Sequence, residues 1–393
     1  MTYLDNAATS WPKPPDVAEA MLRFLRDVGA SPGRSGHALA NEAERIRLDA
    51  SEAVAALFGL PNPLRIIFTA NATTALNLVL HGLLTPGDHV VTTGLEHNAV
   101  MRPLHALASR GVSVTVVPGG PDGALRAGDI EPHLMPQTRL LVVNHASNVC
   151  GTVLPLREIG VLARRHGVPL LVDAAQTGGC WPIDIVADQV DLLAFSGHKG
   201  LLGPTGTGGL VINEEFDIRR LPPLIQGGTG SRSEHEQQPD FLPDKYEPGT
   251  PNSVGLAGLA AGVRYVLGRG VAAARDYEQE LTRRLVTGLR GIPGVRVLGP
   301  MDTRCQVAVV AFIVAGRGCS EVAHELEQQF GVLCRPGLHC APRAHQTLGT
   351  LPGGTLRFAP GLFNTLDEID AVVAAVALIA ESVEPPRPTP GVC

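Results

Sequence analysis

Between residue 65 and about residue 215, short apolar runs rich in β-branched residues alternate with stretches that have helical periodicity. This alternation is typical of βαβ units, in which crossover helices join parallel strands. Several runs are apolar throughout, as expected for strands covered on both faces. The sequence therefore predicts an α/β fold with a mainly parallel, seven-stranded sheet. Its predicted strands are 65–69, 89–93, 112–118, 140–144, 169–173, 192–196 and 209–213, with helices at 73–83 and 156–166.

The chain has 393 residues, more than one hydrophobic core usually serves, and with 44% apolar and 18% charged residues it is not a disordered chain. A Gly-, Gln- and Pro-rich stretch at 226–253, expected to be an exposed loop, precedes helical patterns at 254–268 and 271–291. A smaller α+β domain follows, with predicted strands at 295–298, 307–314 and 356–359 and helices at 320–330 and 365–382. We expect a segment at 1–15 that packs with the small domain, a large α/β domain at 16–260, the small domain at 261–384 and a flexible tail at 385–393.

Charge and cysteine content limit the classes of partner. The net charge is −6 and no basic run is longer than an arginine pair, which argues against nucleic acid or an anionic membrane. The N-terminal residues lack a basic start and an apolar stretch, and no uncharged apolar run approaches the ~20 residues that span a bilayer, so we expect a cytoplasmic protein. Seven cysteines without CxxC spacing indicate neither a disulfide framework nor a thiolate zinc site, and we predict no metal.

The chain contains three lysines, and their positions differ. Lys199 lies in SGHKGLLGPTG, directly after a predicted strand, where open α/β sheets bind their ligands. Lys13 lies between prolines and Lys245 lies in the polar loop, so for both we expect ordinary surface cations. Lys199 is therefore the candidate nucleophilic amine, able to form a Schiff base with a carbonyl cofactor such as pyridoxal phosphate.

Pyridoxal phosphate makes three further demands on a protein. An anion must keep the ring nitrogen protonated, which Asp173 at the end of a buried strand could do, unless it is simply a helix cap. The ring needs a flat neighbour, for which His97 is the candidate, although such a histidine can also be an ordinary loop residue. The phosphate needs backbone N–H groups at a helix N-terminus with hydroxyl or imidazole donors. The candidates are Ala72, Thr73, Ser196 and His198, although serines and threonines at such positions often only cap helices.

Together these segments carry a family resemblance. YLDNAATS, GLEHNAV, SNVCGT, VDAAQ, SGHKGLLGPTG and GTPNS, in this order, resemble the class V aminotransferases of the fold-type I pyridoxal phosphate enzymes, and among them the cysteine desulfurases. The resemblance runs from Tyr3 to about Leu378. It implies that Lys199 forms the Schiff base, Asp173 holds the ring nitrogen, Gln176 donates to the ring hydroxyl, His97 stacks on the ring, and Ala72, Thr73, Ser196 and His198 hold the phosphate. It also implies a homodimer with shared sites, in which Thr250 reaches the phosphate of the neighbouring subunit.

The segment RPGLHCAPRAH, from Arg335 to His345, bears on the reaction. Cys340 lies in a loop-like context and resembles the cysteine that forms a persulfide in group II desulfurases. By the same resemblance Arg357 binds the substrate carboxylate, with help from Asn148, and a planar guanidinium suits that task. The implied reaction converts L-cysteine to L-alanine and leaves sulfur on Cys340 for an acceptor protein or a small thiol. Iron–sulfur cluster assembly is one pathway that such sulfur could feed.

The sequence departs from the family motif at two positions, and several alternative functions remain open. A threonine of some group II members is Ala72 here, and Cys393 on a Pro-rich tail is outside the common motif. For the cysteines other than Cys340 we expect buried, inert thiols, except that Cys393 is expected to be an incidental exposed thiol unless it accepts sulfur from Cys340. A selenocysteine lyase, or a class V aminotransferase, epimerase or C–S lyase that does not use Cys340, would fit the same scaffold. A nucleotide-binding oxidoreductase is disfavoured because no GxGxxG follows the first strand.

Overall fold

The computed structural model of the protein describes residues 1–33, 36–300 and 302–381. In chain order, its strands are β1 (Thr2–Tyr3), β2 (Ile66–Thr69), β3 (His89–Thr93), β4 (Ser113–Val117), β5 (Thr138–Asn144), β6 (Leu170–Asp173), β7 (Leu192–Ser196), β8 (Gly208–Ile212), β9 (Val295–Leu298), β10 (Val310–Val314), β11 (Val332–Leu333), β12 (Arg335–Gly337) and β13 (Thr355–Phe358). Its α-helices are α1 (Pro15–Arg23), α2 (Ala38–Leu57), α3 (Ala72–Leu83), α4 (Asn98–Ala108), α5 (Ala127–Ile130), α6 (Leu156–Arg165), α7 (Ser253–Arg269), α8 (Val271–Arg290), α9 (Cys319–Phe330), α10 (Pro342–Thr347) and α11 (Leu366–Glu381).

The predicted seven-stranded, mainly parallel sheet is confirmed. Within the described residues its strand order is β2-β8-β7-β6-β5-β3-β4. Every neighbouring pair from β7 to β4 is parallel, whereas β8 runs antiparallel to both β7 and β2. The strands differ from their predicted bounds by at most two residues.

Both faces of this sheet are buried, as the apolar strands predict. Successive residues of a strand point to opposite faces, and in β5 Leu141 and Val143 join one apolar cluster while Leu140 and Val142 join the other. Ile66 and Ile67 of β2 divide in the same way. Polar groups can therefore gather only where the strands end.

A second, antiparallel sheet has the order β12-β13-β10-β9 and shares an apolar core with α8, α9 and α11. The strand predicted at 307–314 begins only at Val310, because the preceding residues form a tight turn in which Val309 N donates to Val307 O at 2.6 Å. β12 was not predicted, since it contains Pro336, which a strand tolerates at the edge of a sheet.

Two helices near the N-terminus, α1 and α2, were also missed. The inner face of α2 consists largely of alanines, so the sequence lacks a stripe of large apolar residues there. The predicted helix at 365–382 is observed as α11, while Ser382 and the predicted tail at 385–393 lie outside the described residues. Among the helices that the structure describes, none combines the length and apolarity that crossing a membrane requires.

The N-terminal segment reaches the ends of strands in both larger sheets. β1 pairs in parallel with β11 in a separate two-stranded sheet, and Asp5 forms a bridge with Ala359 just after β13. Further along, Ser10 N donates to the carbonyl oxygen of His198 at 3.0 Å, which attaches the segment to the loop after β7.

The close approach of β8 to the start of α3 generates a stability prediction. A β-carbon at Gly208 would lie 2.6 Å from Cα of Asn71 and 2.7 Å from O of Phe195, so we expect Gly208→Ala to lower the free energy of unfolding by about 1–3 kcal/mol. Gly268→Ala is the matched control, because a β-carbon at this exposed helical position meets nothing within 4 Å and alanine favours a helix. Thermal unfolding of the two variants measures the difference, and equal melting temperatures would contradict the prediction.

Candidate active site

A cavity lies where the strands of the large sheet end. Each lining residue either ends or comes shortly after one of the strands β2, β3, β5, β6 and β7. Eight of the predicted site residues line it, namely Ala72, Thr73, His97, Asn148, Asp173, Gln176, Ser196 and Lys199.

Burial is the largest influence on the pKa of Lys199. It lowers the pKa of the amine to about 8, against the opposing charge of Asp173. An amine with this pKa is partly neutral near pH 7.5, the form that acts as nucleophile or base.

The backbone of Lys199 is held from the N-terminal segment. Ser10 Oγ donates to Lys199 O at 2.9 Å, and Lys13 Nζ donates to His198 O at 2.9 Å and to Ser10 Oγ at 2.6 Å. The prediction that Lys13 is an ordinary surface cation is therefore wrong: it is half-buried, and burial lowers its pKa to about 8. Lys245 is also not a surface cation, since it is 7% exposed and Nζ donates to Ile218 O at 2.7 Å.

Asp173 is the last residue of β6 and is buried. Its Oδ1 accepts from Ala175 N at 2.9 Å, and a turn rather than a helix follows, so it does not cap a helix. Burial raises the pKa of this carboxyl, while Ala175 N–H and the charge of Lys199 lower it. A buried carboxylate on the cavity wall fits a protonated ring nitrogen, whose positive charge would compensate for its desolvation.

The start of α3 fits an anion. Asn71 Oδ1 caps the helix by accepting from Thr74 N, so the N–H groups of Ala72 and Thr73 remain at the cavity wall. Ala72 N lies 3.4 Å from Ser196 Oγ, a long contact that a phosphate oxygen could replace. The residues at this edge therefore fit both ends of pyridoxal phosphate.

His97 caps α4, where its Nδ1 accepts from Ala99 N at 3.0 Å. Burial lowers its pKa to about 4, with smaller contributions from the charges of Lys199 and Arg335. The ring is therefore neutral at pH 7, and its hydrogen bond fixes the ring orientation on the cavity wall.

Cys340 is an exposed thiol beside this site. Its carbonyl accepts from Asn98 N at 2.8 Å, so the loop that carries it is attached to the residue after His97. Arg335 Nη2 lies 4.0 Å from Sγ. The structure thus attaches the loop of Cys340 to Asn98 and to Asn148, which lines the cavity that contains Lys199.

Arg357 is buried and forms an ion pair with Asp5 below the surface. It is 1% exposed, Nη2 donates to Asp5 Oδ1 at 2.6 Å and Nη1 donates to Asn148 O at 3.0 Å. Its Nε has no partner among the described residues. Arg357 does not line the cavity itself but is joined to it through Asn148.

Two predicted phosphate ligands lie outside the cavity lining. His198 precedes Lys199, and its Nδ1 is buried without a partner in the described part of the chain, which leaves a hydrogen-bonding atom for a ligand. Thr250 is exposed, in the loop that follows the buried Tyr246.

The remaining thiols vary in exposure. Cys150 is buried, Cys180, Cys319 and Cys334 are partly buried, and all described cysteines are free. Cys305 is exposed, so the expectation of a buried thiol is wrong there, and Cys393 lies outside the described residues.

Sequence reasoning missed Glu96, which looked like an ordinary polar residue before His97. It is fully buried, and its Oε1 accepts from Thr93 Oγ1 at 2.7 Å and from Asn144 N at 2.9 Å. Its Oε2 has no partner among the described residues. Burial raises the pKa of Glu96 to about 8, and the charge of Asp173 raises it further. Glu96 is therefore a neutral acid at pH 7 that joins the ends of β3 and β5.

Comparisons with known proteins agree with this geometry. The family model described as "Aminotransferase class-V" matches residues 2–372. Over 392 residues the chain is 35% identical to the "Probable cysteine desulfurase" of Mycolicibacterium paratuberculosis, covering 97% of this chain and 56% of that protein. It is 34% identical over 381 residues to the "Probable cysteine desulfurase" of Methanothermobacter thermautotrophicus, covering 96% and 94%. The apo structure of cysteine desulfurase from Thermococcus onnurineus NA1 superposes with a TM-score of 0.91 at 34% identity, covering 97% and 95%. The predicted fold type is confirmed.

The buried acid generates a prediction for Glu96→Gln. Between pH 4.5, the usual pKa of a glutamate, and about pH 8, the unfolded chain loses this proton while the folded protein keeps it, so the free energy of unfolding falls as pH rises. Glutamine has no such proton, and we expect the melting temperature of Glu96→Gln to fall less between pH 5 and pH 8. Glu52→Gln, on the exposed side of α2, is the control. Parallel curves for wild type and Glu96→Gln would contradict a buried neutral acid.

Proposed function

The chain belongs to the class V aminotransferase family, and from that premise we propose that it is a pyridoxal phosphate-dependent cysteine desulfurase that converts L-cysteine to L-alanine and transfers the sulfur to Cys340. The family depends on pyridoxal phosphate. The observation that carries the proposal is the exposed Cys340 thiol, attached through its carbonyl to the N-terminus of α4 beside the lysine-containing cavity.

The residues of the cavity wall would each contact one part of the cofactor. Lys199 would bind the cofactor covalently, Asp173 would hold its ring nitrogen and Gln176 its ring hydroxyl, with His97 against the ring. Ala72, Thr73 and Ser196 would hold the phosphate, with His198 as a further donor. Bound pyridoxal phosphate supplies an electron sink for the negative charge that develops at the substrate α-carbon.

The protein's own groups handle the proton, the carboxylate and the sulfur. The neutral amine of Lys199 accepts the α-proton, as its lowered pKa permits. Arg357, whose Nε is unpaired among the described residues, binds the substrate carboxylate together with Asn148. The Cys340 thiolate attacks the substrate sulfur, a sulfur–sulfur bond forms as the carbon–sulfur bond breaks, and the carbon product is protonated to alanine. The persulfide anion on Cys340 would lie beside the Arg335 guanidinium.

The proposed partners are a second copy of this chain and a sulfur acceptor. Thr250 is exposed in a loop whose neighbours Leu224 and Ile225 are 44% and 58% exposed. These residues support a homodimer in which Thr250 reaches the cofactor phosphate of the neighbouring subunit. We also propose a cytoplasmic enzyme that passes sulfur to an acceptor protein or a small thiol, with iron–sulfur cluster assembly as one destination. The cofactor would lie in a domain at 16–260, with the substrate arginine in a domain at 261–384.

Cys340→Ala tests the sulfur transfer. Removal of the nucleophile should lower the rate of alanine formation from L-cysteine at least about 100-fold and leave the cofactor absorbance intact. Cys305→Ala, which removes another exposed thiol, should retain the wild-type rate. Full turnover of L-cysteine by Cys340→Ala would refute the persulfide mechanism. If Cys340→Ala loses turnover of L-cysteine but keeps that of L-selenocysteine, the thiol matters only for sulfur, which would indicate a selenocysteine lyase.

Borohydride reduction of the purified protein tests the lysine. Reduction should fix the cofactor on Lys199, because this amine is buried on the cavity wall with its pKa lowered. Peptide mapping identifies the labelled residue. Lys13 and Lys245 serve as internal controls, since both amines are engaged with backbone carbonyls, and label on either would overturn the assignment.

A further inference from the structure

The loop that carries Cys340 has an unfavourable backbone. His339 and Cys340 have φ values of 50° and 56°, in the left-handed region that residues other than glycine rarely adopt. Two such residues in succession are unfavourable, and they persist only where the surroundings enforce them. The groups that enforce this turn therefore decide where the thiol lies.

Several hydrogen bonds hold the backbone of the turn. Asn148 Nδ2 donates to His339 O at 2.7 Å, and Asn98 N donates to Cys340 O at 2.8 Å. Within the turn, Ala341 N donates to Leu338 O at 2.9 Å. Asn148 lines the cavity and Asn98 begins α4, so the turn is fixed relative to the cofactor site rather than to the small sheet alone.

The imidazole of His345 packs beneath the turn. Its ring stacks on that of His339 with 5.6 Å between centroids and 19° between planes, and His345 is 0% exposed. Nδ1 of His345 lies 2.8 Å from Thr350 Oγ1, while Nε2 of His339 lies 3.1 Å from Arg335 O. Burial lowers the pKa of both rings, to about 3 for His339, so two neutral rings stack without charge repulsion.

We propose that His345 is a positioning residue for Cys340, and that the stacked His339–His345 pair holds the left-handed turn so that the thiol faces Arg335 and the cavity. This role rests on the proposed function of Cys340 as the sulfur acceptor. His345 touches neither substrate nor cofactor. It acts through the ring of His339, whose position sets the backbone on either side of Cys340.

The helix that carries His345 is anchored at the same place. α10 has only six residues, but Thr347 Oγ1 donates to Gly94 O at 3.0 Å, in the loop that leads to His97. Thr350, which fixes the His345 ring, also donates to His345 O at 3.4 Å. α10 and the loop of Cys340 are therefore both attached to the segment around His97.

The test compares His345→Leu with His345→Phe in the holoenzyme. Leucine fills the space but removes the flat ring, and we expect kcat for L-cysteine to fall about tenfold while KM changes less than twofold, since the His345 side chain bonds with Thr350 and not with Arg357 or Asn148. Phenylalanine keeps a flat ring, and we expect kcat within about threefold of wild type. A lower melting temperature of His345→Leu with unchanged kcat would overturn the proposal and leave His345 as a core residue.

A second measurement does not depend on activity or on His345→Leu being well folded. His339→Gly relieves the left-handed strain at that position and removes the stack. In the holoenzyme we expect faster hydrogen exchange than in wild type at the amides of Ala341 and Asn98. Unchanged exchange would contradict the role of the stack. Cys340→Ala separates the two proposals, because full turnover by that variant refutes the proposed function whatever His345 does.

Discussion

The parallel register of β5, β6 and β7 is the constraint on which the site depends. Asn144 pairs with Asp173, and Asp173 pairs with Ala194, two residues before Ser196. All three strands therefore end with a polar side chain at one edge of a sheet whose two faces are buried. Burial of those faces leaves this edge as the place where polar groups can collect, and the carboxylate, the lysine and the helix N-terminus meet there.

Desolvation then sets the chemistry of the edge. Burial lowers the pKa of Lys199 and His97 and raises the pKa of Asp173 and Glu96. Each group is biased towards its neutral form, so charge that a ligand brings is only weakly screened and interacts strongly with the wall. A site with these properties favours a ligand that carries complementary charges at both ends, as pyridoxal phosphate does.

The sulfur chemistry requires residues from distant parts of the chain. Cys340 and Arg357 come from the C-terminal part, and Asp5 of the N-terminal segment pairs with Arg357. Ser10 holds the backbone of Lys199. The N-terminal segment thus bonds with Arg357 and with the backbone of Lys199. Asn148 bonds with the loop of Cys340 and with Arg357. Shared hydrogen bonds therefore position Arg357 relative to the loop of Cys340 and to the N-terminal segment that holds Lys199.

The sequence by itself determined the strands of the large sheet, the order of the polar segments and the positions of Lys199 and Asp173 at strand ends, because apolar periodicity and strand ends are local properties. It also indicated Cys340 and Arg357 through their motifs. The buried state of Glu96, Lys245 and Arg357, the strand that contains Pro336 and the stacking of His345 beneath His339 appeared only in the tertiary structure. The physical reason is that burial, ion pairing and left-handed backbone depend on contacts between residues far apart in the chain, and no local pattern of residue types encodes them.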